Sequence, residues 1–205
     1  MAYETKAAER RGKLRDALIE SAERAIEREG LRGVRARDLA AEVDCAVGAI
    51  YNAVADLDEL IFAVNARTLA ALEADLTATQ DSTDTPDDAI AQLVRLALTY
   101  VDFAATHRQR WRAIFGHQPP AGREIPHWYM SDQFRLFGYI ELPLRALLPD
   151  IRAARRALLA RSLFSAVHGM VALGLEEKLQ TIPLDVLREQ VATVVTAMGK
   201  GLDAK

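Results

Sequence analysis

The stretch from Ala36 to Val54 decides the fold. It reads Ala36-Arg37-Asp38-Leu39-Ala40-Ala41-Glu42-Val43, then Asp44-Cys45-Ala46, then Val47-Gly48-Ala49-Ile50-Tyr51-Asn52-Ala53-Val54. Two short runs with apolar residues at helical spacing flank a tight connection, which is the layout of a helix-turn-helix. Leu39, Ala40, Val43 and Ile50 are predicted to pack inward. Val47, Gly48, Ala49, Tyr51 and Asn52 are then left on the outer face of the second helix. A single helix fits the DNA major groove, about 12 Å wide. On that face the Tyr51 hydroxyl suits a phosphate, and the Asn52 amide suits an adenine edge. Tyr51 also suits packing between helices, and the two roles can coexist. Cys45 in the turn reads either as a small, partly buried residue or as a redox-sensitive thiol, and nothing nearby in the sequence favours the second.

Working outward, helical periodicity continues on both sides. Leu14, Leu18, Ala22, Ala25 and Ile26 mark a long helix before the motif, closed by Gly30 and Gly33. Asp56 and Glu59 form a capping box for the helix after it, which carries Leu57, Leu60, Ile61, Val64, Leu72 and Leu76. Gln80 to Asp84 is polar and reads as a linker. Thr85-Pro86-Asp87-Asp88 combines a cap, a first-turn proline and first-turn acids, and opens a helix with Ile90, Leu93, Val94, Ala97 and Val101. Gly116 to Pro126 is predicted to be a loop. Pro149-Asp150 separates a helix ending near Leu148, kinked at Pro143, from one over residues 151–173. Leu175 to Pro183 connects to a last helix over 184–200. No stretch alternates at period two. The expectation is an all-α chain of about nine helices. It divides into a helix-turn-helix domain over residues 1–55 and a larger helical domain over 56–205, joined by the helix 56–79.

The 205 residues are 50% hydrophobic and 27% charged, the balance of a globular protein. One cysteine excludes an internal disulfide framework and a multi-cysteine zinc site. No signal peptide is evident. The longest apolar candidate for a membrane span, Ala166 to Leu175, is broken by His168, Gly169 and Gly174, so no membrane association is expected. A cytoplasmic location is expected. The net charge of -3 excludes a net-basic nucleic-acid binder, although a local basic patch stays open. Residues 1–37 carry ten basic and seven acidic side chains, a local excess of three positive charges. Within it, Arg10, Arg11, Arg35 and Arg37 are candidates for DNA contact. Arg24 and Arg28 read instead as a solvated, charge-paired face, with Glu20 a turn before Arg24.

Aromatic residues gather after position 100. Phe103, Trp111, Phe115, Trp128, Phe134 and Phe137 read either as the wall of an apolar pocket or as plain core. His168, beside Gly169 in an apolar stretch, reads as a hydrogen-bonding group for a ligand or as a satisfied core histidine. Gly169 itself suggests close helix packing or room for a ligand. The last two long helices have broad apolar faces. Two copies joined through them would bring Leu158, Leu159, Leu163, Val191, Val194 and Met198 into a four-helix interface.

Gly30-Leu31, Arg37-Asp38-Leu39-Ala40, Gly48-Ala49-Ile50-Tyr51 and Asp56-Leu57-Asp58-Glu59-Leu60 together resemble the DNA-binding domain of the TetR family of repressors. Trp111-Arg112-Ala113-Ile114-Phe115 and Phe164 to Leu173 are similar to the TetR subgroup whose effector domain is named for Trp, His and Gly. The resemblance implies an all-helical homodimer with an N-terminal DNA-binding domain. It implies a C-terminal domain that dimerises and binds a small effector. Its partners would be a palindromic double-stranded operator, an apolar effector and a second copy. The sequence departs from the family pattern at Ala46, Ala49, Val54 and Asp58, which removes a helix cap and places an acid where a lysine is usual. Weaker or altered DNA binding is the expected consequence. A ligand-binding protein of the same fold with weak or lost DNA specificity is therefore the rival expectation.

No phosphate loop, nucleophile elbow or metal-ligand spacing is present in the sequence. Glu124-Ile125-Pro126-His127 matches a di-iron spacing by count alone, with its proline in a loop. Neither catalysis, a metal nor a cofactor is expected.

Overall fold

The computed structural model describes residues 2–81, 83–176 and 182–203. Among them the chain is helical throughout, with nine α-helices and no strand. They are α1 Ala2–Glu29, α2 Ala36–Glu42, α3 Val47–Ala53, α4 Leu57–Ala78, α5 Pro86–Thr106, α6 Arg108–Gly116, α7 His127–Leu147, α8 Ala153–Gly174 and α9 Leu184–Asp203. A 3-10 turn, Gly30–Gly33, follows α1. Pro143 lies inside α7. The middle of the 175–183 connection, residues 177–181, lies outside the described residues, as does Ser82 of the 80–84 linker.

The predicted caps form, with one shift. The Glu59 N–H donates to Asp56 Oδ1 at 2.9 Å, but Glu59 Oε2 takes the Ala55 N–H at 2.8 Å rather than that of Asp56. Thr85 and Asp88 exchange bonds. Thr85 Oγ1 accepts from the Asp88 N–H at 3.1 Å, and Asp88 Oδ2 accepts from the Thr85 N–H at 3.1 Å. The Glu59 and Asp88 N–H groups lie in first helical turns, which leave them without intrahelical acceptors, and the Ala55 and Thr85 N–H groups just precede those turns.

The chain divides into two compact units. One comprises Met1–Ala70 and His107–Tyr129, the other Ala71–Thr106 and Met130–Lys205. Packing therefore draws its line differently from the 55/56 division read in the sequence, because α6 and the loop after it pack with the N-terminal helices.

In the first unit Leu18, Ala22 and Ile26 of α1, Leu39 of α2, Ile50 of α3 and Leu60 and Val64 of α4 form one core, joined by Ala113 of α6. Ile50 is fully buried. Burying a side chain of that size contributes roughly 1.5–3 kcal/mol and fixes the rotation of α3, whose other side is polar or small.

In the second unit α9 packs on α5 and α8. A Cβ on Gly199 would stand 2.9 Å from Ile90 Cγ1, and one on Gly174 would stand 2.7 Å from Leu187 Cδ1. These glycines let the helices approach closely. Gly169 has nothing within 4 Å of that position, so close packing within the chain does not explain it. By length and composition α5 and α8 are each apolar enough to cross a membrane, which corrects the expectation that no segment approaches that limit. The apolar window of α5 is 56% buried within the chain and that of α8 only 28%.

Candidate nucleic-acid interface

The helix-turn-helix forms as the sequence predicts. The turn closes through the Cys45 N–H on the Ala40 carbonyl at 2.9 Å. Asp44 adopts φ 52°, a left-handed conformation that Asp tolerates better than most residues. Leu39, Ala40 and Ile50 are buried, and Val43 is half-buried. Val47, Gly48, Tyr51 and Asn52 are exposed and Ala49 is half-buried, so the five residues expected on the outer face stand there together. Ala46 occupies the cap position of α3 with φ -70° and ψ 143°, and no side-chain bond supports the first turn.

A groove of about 770 Å³ runs beside this face. Its lining includes Arg10, Arg11 and Leu14 of α1, Cys45 in the turn, and Ala49 and Asn52 of α3. Arg10 and Arg11 are exposed there. Cys45 is half-buried and not in a disulfide. Arg35 and Arg37 are also exposed and are not among the residues that line this groove. Arg35 lies 3.6 Å from Asp38 and 4.0 Å from Glu29.

Other cations are engaged by the fold. Arg15 donates to Glu59 Oε1 at 3.1–3.2 Å. Arg24 donates to Glu42 at 2.7 Å, and Arg28 lies 3.9 Å from the same carboxylate. The reading of Arg24 and Arg28 as charge-paired thus has its partner on α2 rather than one turn back at Glu20. The Arg24 hydrogen bond holds the Glu42 carboxyl below the usual range.

The sequence reading missed the support this head receives from α6 and its loop. Arg110 Nη1 lies 2.8 Å from Glu23 and 3.2 Å from Glu27 of α1, while its Nε donates to Thr68 Oγ1 of α4 at 3.2 Å. Asn65 Nδ2 donates to the Ala113 carbonyl at 3.3 Å. Arg123 pairs with Asp56, the residue that caps α4. His117 Nε2 lies 3.2 Å from Asp58 Oδ1, with its ring edge-on to Phe62 at 5.1 Å. That approach is not aligned as a hydrogen bond. Burial pushes the His117 ring below its ordinary value of 6.5, against the pull of Asp58 and Asp56. Asp58, the acid at the position where a lysine is usual, thus faces a histidine of the same unit. The sequence around Arg110 carries no signal of this role, and the acid pair Glu23 and Glu27, at i,i+4 on α1, marks only where a distant cation could pair.

The residues proposed for an effector divide between the units. Trp111, Phe115 and Trp128 belong to the first. Trp111 is buried and meets the half-exposed Phe115 at 5.8 Å, and Trp128 meets Tyr129 at 5.9 Å. Phe103, Phe134, Phe137 and His168 belong to the second, and Phe103 is buried. There Phe164, on α8, stacks on His168 at 5.5 Å and meets Phe137 at 5.4 Å and Tyr100 at 5.5 Å. Tyr100 Oη and His168 Nδ1 share a hydrogen bond of 2.8 Å. Burial holds the His168 ring below its ordinary value. The Arg161 guanidinium lies 5.0 Å over the Phe134 ring. The second unit thus packs Tyr100, Phe137 and Phe164 into one aromatic cluster around His168.

Of the residues expected at a two-copy interface, Leu163 and Val191 are buried within the chain itself. Leu159, Val194 and Met198 are half-buried and Leu158 is 62% exposed. Leu173, at 63%, extends the exposed apolar face of α8 and was not among the candidates.

Residues 93–198 match a family model described as the tetracyclin repressor-like C-terminal domain, a span of about half the chain. No curated protein matches the sequence. Among solved structures, a protein of unknown function from Rhodococcus sp. RHA1 is 24% identical, with a TM-score of 0.66, over 90% of this chain and 94% of that one. A Clostridium perfringens protein provisionally assigned as a fatty acid metabolism regulator is 18% identical over 88% and 97%, with a TM-score of 0.64. A TetR-like transcriptional regulator from Rhodococcus sp. RHA1 is 16% identical over 92% and 96%, with a TM-score of 0.61. At these identities the likeness is one of fold.

Proposed function

The chain belongs to the tetracyclin repressor-like family of transcriptional regulators, and from that premise we propose that it is a cytoplasmic repressor released from DNA by a small apolar effector. The observation that carries the reading is the outward face of α3, where five small or uncharged residues stand beside a groove lined by Arg10 and Arg11. A twofold homodimer, joined through the exposed apolar face of α8 and through α9, presents two such helices to a palindromic operator about one turn apart, ~34 Å. The effector lies against the aromatic cluster around Phe137, Phe164 and His168 in the second unit, and its binding shifts the population between operator-binding and released states. The role is regulatory and not catalytic.

Fluorescence anisotropy tests the reading. The full chain binds its own upstream duplex more tightly than a scrambled one, and the binding weakens steeply as salt rises. A ligand that stabilises the protein then lowers that affinity. Ligands that saturate the protein without changing its DNA affinity would sink the effector part. The rival function, a ligand-binding protein of this fold with weak DNA binding, draws support from the uncapped α3 and from the acid at Asp58. Equal, weak binding to both duplexes together with a bound ligand would favour it.

A further inference from the structure

The chemistry of α3 goes further than the protein's affinity for DNA. We propose that the half-site it reads is built on A·T pairs. The proposal rests on the DNA-binding reading above.

The seven residues of α3, Val47–Ala53, include no Lys, Arg, Gln, Asp or Glu. Guanine is read in the major groove by Arg or Lys donors to O6 and N7, and the cytosine amino group by a carboxylate. The helix offers neither. It offers two apolar surfaces, Val47 at 40% exposure and the half-buried Ala49, and these suit the thymine C5-methyl group. The exposed Asn52 amide donates and accepts at once, as the N7 and N6 edge of adenine requires. Gly48 carries no side chain, and nothing lies within 4 Å of where its Cβ would stand, so the helix can sit close to the base edges. The full burial of Ile50 fixes this face outward.

The neighbouring cations do not alter this base preference. Arg15, Arg24, Arg28 and Arg35 each face a carboxylate of the head. Arg10 and Arg11 instead line the groove shared with Ala49 and Asn52. Two guanidiniums beside the reading helix suit the phosphates that flank it, and those contacts carry no base preference, so the choice of base rests on α3 itself.

The test is selection of duplexes from a random library by the full chain. Half-sites with A·T pairs at the contacted steps are the expected product. In the best duplex, replacing a contacted thymine with uracil removes only the methyl group and lowers affinity about fourfold at each step under Val47 or Ala49. Asn52→Arg moves the preference at its step from adenine to guanine by about fivefold or more. Selected half-sites centred on G·C would overturn the proposal and point to Arg37 as a reader. An unchanged affinity for every uracil duplex would also overturn it, and that measurement needs no variant protein. Selection that enriches no sequence would overturn the DNA-binding reading itself, and this proposal with it.

Discussion

Replacing Ala46 by Thr should stabilise the helix-turn-helix, and replacing it by Val should not. Ala46 holds the extended backbone of a helix cap, with φ -70° and ψ 143°, and is exposed. Both β-branched residues therefore fit without strain, and they differ only by a hydroxyl against a methyl. The Thr hydroxyl can accept the Gly48 N–H at the start of α3, since the Ala49 N–H already donates to the Ala46 carbonyl at 2.8 Å. A cap of this kind contributes about 1 kcal/mol. The effect falls on a helix of only seven residues, for which isolated stability is negligible. The chain's two tryptophans, Trp111 and Trp128, both belong to the first unit, so their fluorescence during urea unfolding reports on the unit that holds α3. A gain of about 1 kcal/mol moves the midpoint up by roughly 0.5 M urea. Thr and Val variants with equal midpoints, or a higher midpoint for Val, would refute the claim that α3 lacks a needed cap.

The same fluorescence reads Arg110→Met, which removes the cation that Glu23, Glu27 and Thr68 share, although Glu23 keeps its pair with Arg67. A loss of about 2 kcal/mol is expected against under 0.5 kcal/mol for the exposed Arg35→Ala, and similar values for the two would refute a bracing role for Arg110. Circular dichroism should show Gly199→Ala less stable by about 1 kcal/mol, because its Cβ would crowd Ile90. Gly201→Ala, with nothing within 4 Å, should gain about 0.5 kcal/mol. Burial lowers the folded-state values of His117 and His168 below 6.5, so the unfolded chain binds more protons just below that pH. Their contribution to stability is fully present above pH 6.5 and is lost as the pH falls towards the folded values. Denaturation at pH 7.5 and 5.5 should therefore give the lower midpoint at 5.5, by a smaller margin in a His117→Gln, His168→Gln double variant. An equal margin in that variant would assign the pH dependence to other groups.

Much of the head was legible because its information is local. The buried stripe of α1, the inward Leu39 and Ile50, and the caps at Asp56 and Thr85 all follow from spacing within a few residues. So does the exposure of Val47, Tyr51 and Asn52, since a short helix pinned by one buried Ile has only one outward face. The aromatic residues were not legible in the same way. Their abundance after position 100 suggested one chamber, yet Trp111, Phe115 and Trp128 pack with the head unit while Phe134, Phe137 and His168 belong to the other. Periodicity tells which face of a helix is buried but not which neighbour buries it.

The sequence by itself determined the all-helical architecture, the position of the helix-turn-helix and the chemistry its reading helix presents, because each depends on contacts between residues close along the chain. Only the tertiary structure decided that α6 braces the head. Arg110 meets Glu27 across 83 positions of sequence. Nothing in the local pattern distinguishes that guanidinium from any other surface arginine until the fold sets two carboxylates and a threonine hydroxyl around it.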